Sequence, residues 1–436
     1  MLRQAAKTRI YAVRGRSPAL AWPETFPPMR FPAFQSRDFI LFTVGNFFGL
    51  NALWVNRVLI GWLGWELTGL ASWVGALSFI LFAPTIVGSP LLGVLLDRVD
   101  LRRAAVLSQL VVIAIVGLML FLLVAGLLNI WWLCFVALMI GITSTADRTI
   151  RFVLVPCIVS KEALANAITI HGVNFNGARL IGPAIGGLLI AAIGTTATVA
   201  INLAMVFPFL AVLLVINFSG REPPKAKREP FLAEFIDGAR YALTHPVIRE
   251  GMVLMGVYSI TIRGVLEILP AIADGEYHRG AEGLGQMLAA AGGGALTASV
   301  FVAMRRLGPS EAGISLQPYV STTIGIISTI ALAMTHSWWV ALALVAVLGF
   351  CGTASAIDLQ SSVQLSMNDA YRGRVMSLWV VLVIGLAAIN SIILGFFADI
   401  VGMSETLIAA SILAALALPF GIANVVKWRK AGPPAS

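Results

Sequence analysis

The chain is 436 residues long, 58% of them hydrophobic and only 12% charged, with a net charge of +9. That balance cannot clothe water-soluble domains, so the length belongs to a polytopic membrane protein. Nor is the positive charge a nucleic-acid footprint, because it is scattered over short segments between apolar runs, where basic residues mark the inner side of a membrane.

Twelve apolar runs reach the roughly 20 residues that a spanning helix needs. They lie near 39–62, 69–96, 104–126, 131–154, 164–192, 197–218, 250–273, 283–304, 314–335, 338–362, 374–399 and 406–427. The expected fold class is all-α integral membrane with twelve transmembrane helices. Of the 30 Lys and Arg residues, 26 fall in the tails and in alternate loops that share one side, which places both termini in the cytoplasm.

Residues 1–36 hold five prolines and mostly basic charges, and read as a disordered cytoplasmic tail. Helix 1 comes next and is polar for a span. Asn46 and Asn56 share a face at about 80° apart, and Asn51 lies between them in the sequence. Polar groups inside hydrocarbon face a bundle interior or a wet cavity, so Asn46 and Asn51 are cavity candidates, against interhelical hydrogen bonding. Arg57 lies near the outer end of the helix, where snorkelling accounts for it.

Between helices 2 and 3 the sequence is Gly-Val-Leu-Leu-Asp-Arg-Val-Asp-Leu-Arg-Arg, from Gly93 to Arg103, a tight charged turn. Helix 4 ends in Asp147, Arg148 and Arg151, an interfacial charge cluster. Helix 5 carries His171, Asn174 and Arg179, then Gly182-Pro183-Ala184-Ile185-Gly186-Gly187. Arg179 stands about 22 Å along the axis from the inner end, too deep to snorkel there. An arginine at that depth is a site for an anionic substrate group, or the partner of a buried carboxylate. His171 and Asn174 are further cavity candidates. The glycines and Pro183 bare one helix face and delete a backbone donor, which suits close packing at a moving interface.

Residues 219–247 form a cytoplasmic linker. Phe231, Leu232, Phe235, Ile236 and Ala239 recur there at helical spacing, as in an amphipathic surface helix. The linker separates an N-terminal half, 37–218, from a C-terminal half, 248–428, and residues 429–436 end the chain as a cytoplasmic tail. In helix 7, Arg263 and Glu267 have the i,i+4 spacing of a self-neutralising pair, and Glu267 is also a proton-carrier candidate. Asp358 in helix 10 is a second, and Asn390 in helix 11 a cavity candidate. Asp274 and Glu276 fall in an outer loop. The cysteines, Cys134, Cys157 and Cys351, have no paired spacing and read as packing residues, not as a disulfide or metal site.

The halves repeat at an offset near 208. Gly141, Thr145 and Ala146 align with Gly349, Thr353 and Ala354, Gly187 with Gly395, and Gly194 with Gly402. Trp131-Trp132 aligns with Trp338-Trp339 after a one-residue slip, both pairs at the outer interface where aromatic belts belong. Two parallel six-helix repeats mark one large class of secondary transporters.

The charged turn resembles the loop signature of that class, the major facilitator superfamily, in Gly93, Leu95, Asp97, Arg98 and Arg102. Leu96, Asp100 and Leu101 depart from it. The resemblance implies a conformational latch at Asp97, with Arg148 or Arg151 of helix 4 as its partner. Gly182, Pro183, Gly186 and Gly187 resemble the second half of the helix 5 motif of the exporters and antiporters, while Thr169 and Ala178 stand where glycines are usual. The block from Val155-Pro156 through Lys161–Ala167 to Leu188 resembles the enterobactin exporter branch.

The fold expected is therefore two six-helix pseudo-repeats of the facilitator type, in a bacterial inner membrane. The function expected is export of a small siderophore, secondary metabolite or drug by proton antiport, by a monomer with no cofactor and no metal. Import of a small solute on the same fold is the alternative, and a channel or membrane receptor a remoter one. No Gly-x-Ser-x-Gly or His-Glu-x-x-His motif points to an enzyme, and no Lys follows a Gly as a phosphate-binding loop requires.

Overall fold

Ser36 opens the first helix by accepting from the Phe39 N–H at 3.3 Å, while its hydroxyl donates to the Ile158 carbonyl at 2.9 Å. In this computed structural model, which describes residues 31–96, 100–216, 231–304, 314–368 and 371–431, every regular element among the described residues is helical. The first group comprises α1 (Arg37–Thr68), α2 (Ala71–Leu96), α3 (Leu101–Val124), α4 (Ile130–Leu154) and α5 (Leu164–Val215). Asp100, which departs from the loop signature, caps α3 by accepting from the Arg103 N–H at 2.8 Å. Asn129 likewise caps α4 through the Trp131 and Trp132 N–H groups, both at 3.1 Å.

The 52 residues of α5 would make a rod of about 78 Å at 1.5 Å per residue, over twice the hydrocarbon thickness. The rod folds back at Gly194, where φ is 82° and ψ 166°, a conformation open only to glycine. Its repeat partner Gly402, with φ 104° and ψ 155°, makes the same break between α13 (Arg372–Val401) and α14 (Met403–Ala431).

A short helix, α6 (Phe231–Thr244), precedes the second group. This group begins with a broken span: α7 (Pro246–Tyr258), a π-helical turn at Ser259–Arg263, α8 (Gly264–Glu267), α9 (Leu269–Ala271) and a second π turn at Ile272–Glu276. The axis bends by 55° where α8 meets Leu269–Glu276. Then come α10 (Gly280–Met304), α11 (Gln317–Met334), α12 (Trp338–Leu365), α13 and α14. The twelve apolar runs of the sequence fall on α1 to α4, the two limbs of α5, the α7–α9 series, and α10 to α14. Among the described residues seven helices are long and apolar enough to cross a membrane, and the bent pair adds an eighth. The strongly exposed Trp131 (71%) and Trp339 (76%), one from each of the two aligned Trp pairs, sit at the starts of α4 and α12, where lipid rather than water is the neighbour.

Helix pairing obeys the repeat. Helix α2 packs on α4 and α13, as α10 packs on α12 and α5; α3 touches α4 and α5, as α11 touches α12 and α14. Repeat-related glycines mark equivalent close approaches. A Cβ at Gly141 would collide with the Leu81 carbonyl, and one at Gly349 with the Ala291 carbonyl. Across the halves, Gly187 meets the backbone of Gly285, and Gly395 that of Ala71 and Ser72. Small residues permit this backbone contact, and dispersion and lipid release, not the hydrophobic effect, reward it inside a membrane.

The bundle has a face that carries the start of α1, here the terminal face, and an opposite far face. Three polar links join the halves toward the far face. Trp65 donates to Asp274 at 2.7 Å, Ser391 donates to the Gly75 carbonyl at 3.1 Å, and the Asp399 carboxylate accepts from the Ala71 and Ser72 N–H groups at 2.8 and 2.9 Å. The last is a helix cap supplied by the other half. Asp399 ends α13 and satisfies the unpaired amides that begin α2. Asp274, expected in an outer loop, lies in the second π turn, where it also accepts from Gly280 N–H at 2.9 Å.

Candidate functional site

Between the halves lies a cavity of about 180 Å³, walled by α1, α5, α8, α10 and α12. Its charged residues are Arg57, Arg179, Arg263 and Glu267, and Trp54, Leu180, Leu266 and Leu284 supply apolar surface. Each charge arrives by a different local device. Arg57 stands 20 positions into α1, and Glu267 stands 21 after the start of α7, so two helices rising from the terminal face bring them to one height. The π turn at Ser259–Arg263 widens the helix just before Arg263 and re-aims α8 toward the cavity. Its loosened carbonyls are satisfied from outside: Asn390 donates to Ile260 O at 3.0 Å and Thr329 to Thr261 O at 3.1 Å.

Glu267 is buried, and it ion-pairs with Arg57 of the other half and, at 3.2 Å, with Arg263 of its own helix series. Snorkelling is thus not what accounts for Arg57. It turns into the cavity wall, with its guanidinium 4.4 Å from the Phe82 ring centroid and 5.5 Å from that of Trp54. The expected Arg263–Glu267 pair forms, but as part of a three-membered cluster that spans both halves. Arg179 has no hydrogen bond or ion pair to any described residue and faces the same cavity.

A second polar cluster lies nearer the terminal face. Arg151 pairs with Asp147 at 2.6 Å and also donates to Asn46. Asp147 accepts from Gln109 at 2.7 Å, and Asn46 lies 3.5 Å from His171 Nδ1. Asp147 and Arg151 are 8% and 4% exposed, so they form a buried network where a solvated interfacial cluster was expected. Arg148 is not in this network. Its guanidinium lies 5.8 Å from the Phe175 ring, and its Nε is buried with no acceptor among the described residues.

The sequence-derived candidates thus separate. Arg179, Glu267 and Pro183 line the cavity. Asn46 and His171 belong to the lower network, Asn51 donates to Phe47 O at 2.8 Å, and Asn174 donates to Thr43 O at 2.9 Å, inside α1–α5 packing. Asn390 braces the π turn, and Asp358 is buried in α12 away from the cavity wall. The helix 5 motif divides by face: Gly182 accommodates Trp54, Gly186 packs on Val55 and Val58, Pro183 faces the cavity, and Gly187 meets Gly285 across the halves. Of the latch residues, Arg102 donates to Leu214 O, and Arg148 and Arg151 are placed as above. Asp97 and Arg98 lie outside the described residues, as do the surroundings of Gly93 in α2. Sequence reasoning missed the Arg57–Glu267 link, although equal depth on two helices that start from one face was a signal for it.

A family model described as transmembrane secretion effector matches residues 24–431. The chain belongs to that family. Among curated proteins, the chain is 28% identical over 340 residues to the enterobactin exporter EntS of Shigella boydii, covering 74% of this chain and 77% of the relative. It is 27% identical over 317 residues to EntS of Escherichia coli O1:K1, covering 70% and 71%. Among solved structures, a bacterial homologue of the lysosomal transporter Spinster, inward-facing and unoccupied, superposes with a TM-score of 0.65 at 13% identity over 94% of this chain and all of that one. The nucleoside transporter NupG superposes with a TM-score of 0.68 at 11% identity over 89% of this chain and 99% of that one. At such identities these structures establish the fold alone, and it is the major facilitator fold. The chain is a membrane transporter.

Proposed function

We propose that this transporter exports a small organic molecule, a siderophore, secondary metabolite or drug, in exchange for protons by alternating access. The observation that carries the reading is the Arg57–Glu267 ion pair, which ties the halves together at the wall of the cavity that holds Arg179. A buried carboxylate between two guanidiniums holds its position only while ionised. A proton on Glu267 removes its attraction to both, and the halves lose a strong link. Substrate held by Arg179 from the cytoplasmic side is released on the other side as the halves rock. The relatives named as exporters support the direction, and the basic loops support a cytoplasmic terminal face. In this scheme Asp97, with Gly93, Arg98 and Arg102, latches the cytoplasmic side when the far face is open.

The test is efflux of a catecholate siderophore, dyes and antibiotics from proteoliposomes under an imposed proton gradient. Gradient-dependent export by the wild type, with loss of gradient dependence in Glu267→Gln and loss of transport in Arg179→Ala and Asp97→Asn, is expected. Gradient-driven accumulation in the opposite direction would replace this reading with import.

A further inference from the structure

The charges around the cavity do not balance. Among the described residues, Arg57, Arg179 and Arg263 line it against the single carboxylate of Glu267. Arg148 lies one aromatic layer behind, stacked on Phe175, whose ring meets that of Trp54 at 6.3 Å. Arg57, Arg179 and Arg263 share the wall of one cavity, so their like charges repel one another across it. Glu267 is already committed to Arg57 and Arg263, so Arg179 and Arg148 are left without any anionic partner among the described residues. Holding several guanidiniums together in a half-dry cavity is unfavourable unless something negative joins them.

The geometry points to an organic anion as the substrate of this cavity, its acidic group seated on Arg179 and its apolar body against Trp54, Leu180, Leu266 and Leu284. This inference rests on the export reading and narrows it. A guanidinium offers a planar, two-pronged donor face matched to a carboxylate or a phosphate-like group, and it repels an ammonium. Glu267 occupies the neighbouring seats on Arg57 and Arg263 in the absence of ligand. Removing its charge therefore strengthens anion binding, whereas removing Arg179 weakens it. A soluble metabolite and an anionic lipid headgroup present the same chemistry to these groups.

The experiment uses the full chain in nanodiscs and three probes that share one ring system: 1-naphthoate, 1-naphthylmethylamine and 1-naphthalenemethanol, read by quenching of tryptophan fluorescence. Saturable binding of the anion is expected, with the amine and alcohol at least about ten-fold weaker. Arg179→Gln is expected to weaken naphthoate by roughly ten-fold or more, and Glu267→Gln to tighten it several-fold. A buried control, Asn202→Ala in α5 away from the cavity, reports on folding alone. No saturable naphthoate binding, an amine that binds as tightly, or an affinity untouched by Arg179→Gln in a folded protein each overturns the anion site. Competition by phosphatidylglycerol in the disc assigns the anion to lipid, and its absence assigns it to a soluble compound. Outward transport is scored separately in proteoliposomes. Anion binding without export keeps the site and sinks the exporter reading, while export of cations alone does the reverse.

Discussion

At the scale of single residues, the arrangement around Glu267 is asymmetric, and this sets the order of mutational effects. Removing Arg57 leaves Glu267 paired with Arg263, whereas removing the Glu267 charge leaves two guanidiniums facing each other. Glu267→Gln should therefore destabilise the detergent-solubilised protein by about 3 kcal/mol and Arg57→Gln by clearly less. Thermal unfolding checks this, and an equal loss in both would mean that Arg263 does not share the carboxylate. What the sequence revealed here was depth, not partnership. The position of Arg179 in the fifth apolar run is enough to bring it to the cavity wall. The partner of Arg57 lies some two hundred residues away in the other half, where neither spacing nor periodicity reports on it. The asparagines misled for a related reason. Asn51 and Asn174 spend their donors on carbonyls of α1, and a polar residue that satisfies the backbone looks, in sequence, like one that greets a ligand.

At the scale of elements, the two chain reversals at Gly194 and Gly402 are one device used twice. Gly194→Ala and Gly402→Ala are each expected to cost about 1–3 kcal/mol, because neither φ/ψ pair is open to a residue with a Cβ. Similar losses of thermal stability are the expected result. An unaffected variant would show that the reversal relaxes without glycine. The repeat that relates these positions was legible from the 208-residue offset, since it is written in small residues whose substitution backbone contact forbids. The break in the seventh span was not. A π turn is one extra residue inside a helix, and nothing in Ser259-Ile260-Thr261-Ile262-Arg263 specifies one; only Pro270 marks the bend beside it.

At the scale of the whole molecule, the links that join the halves toward the far face are weak enough to exchange. Asp399 is exposed and offers the first amides of α2 a cap worth about 1 kcal/mol. Asp399→Ala should thus shift the population toward a far-face-open state by about five-fold, seen as a longer component in spin-label distances between the starts of α2 and α14. Distances identical to the wild type would remove Asp399 from the closure. The same helix is fastened at its other end, where Arg374 meets Asp237 of α6 at 2.5 Å and Gly238 leaves room for the Arg374 side chain. Helix α13 is then a beam pinned at both ends, once to the partner half and once to a short helix in the linker between the halves. The linker helix and the first amides of α2, on opposite faces of the bundle, thus share one helix as their common neighbour.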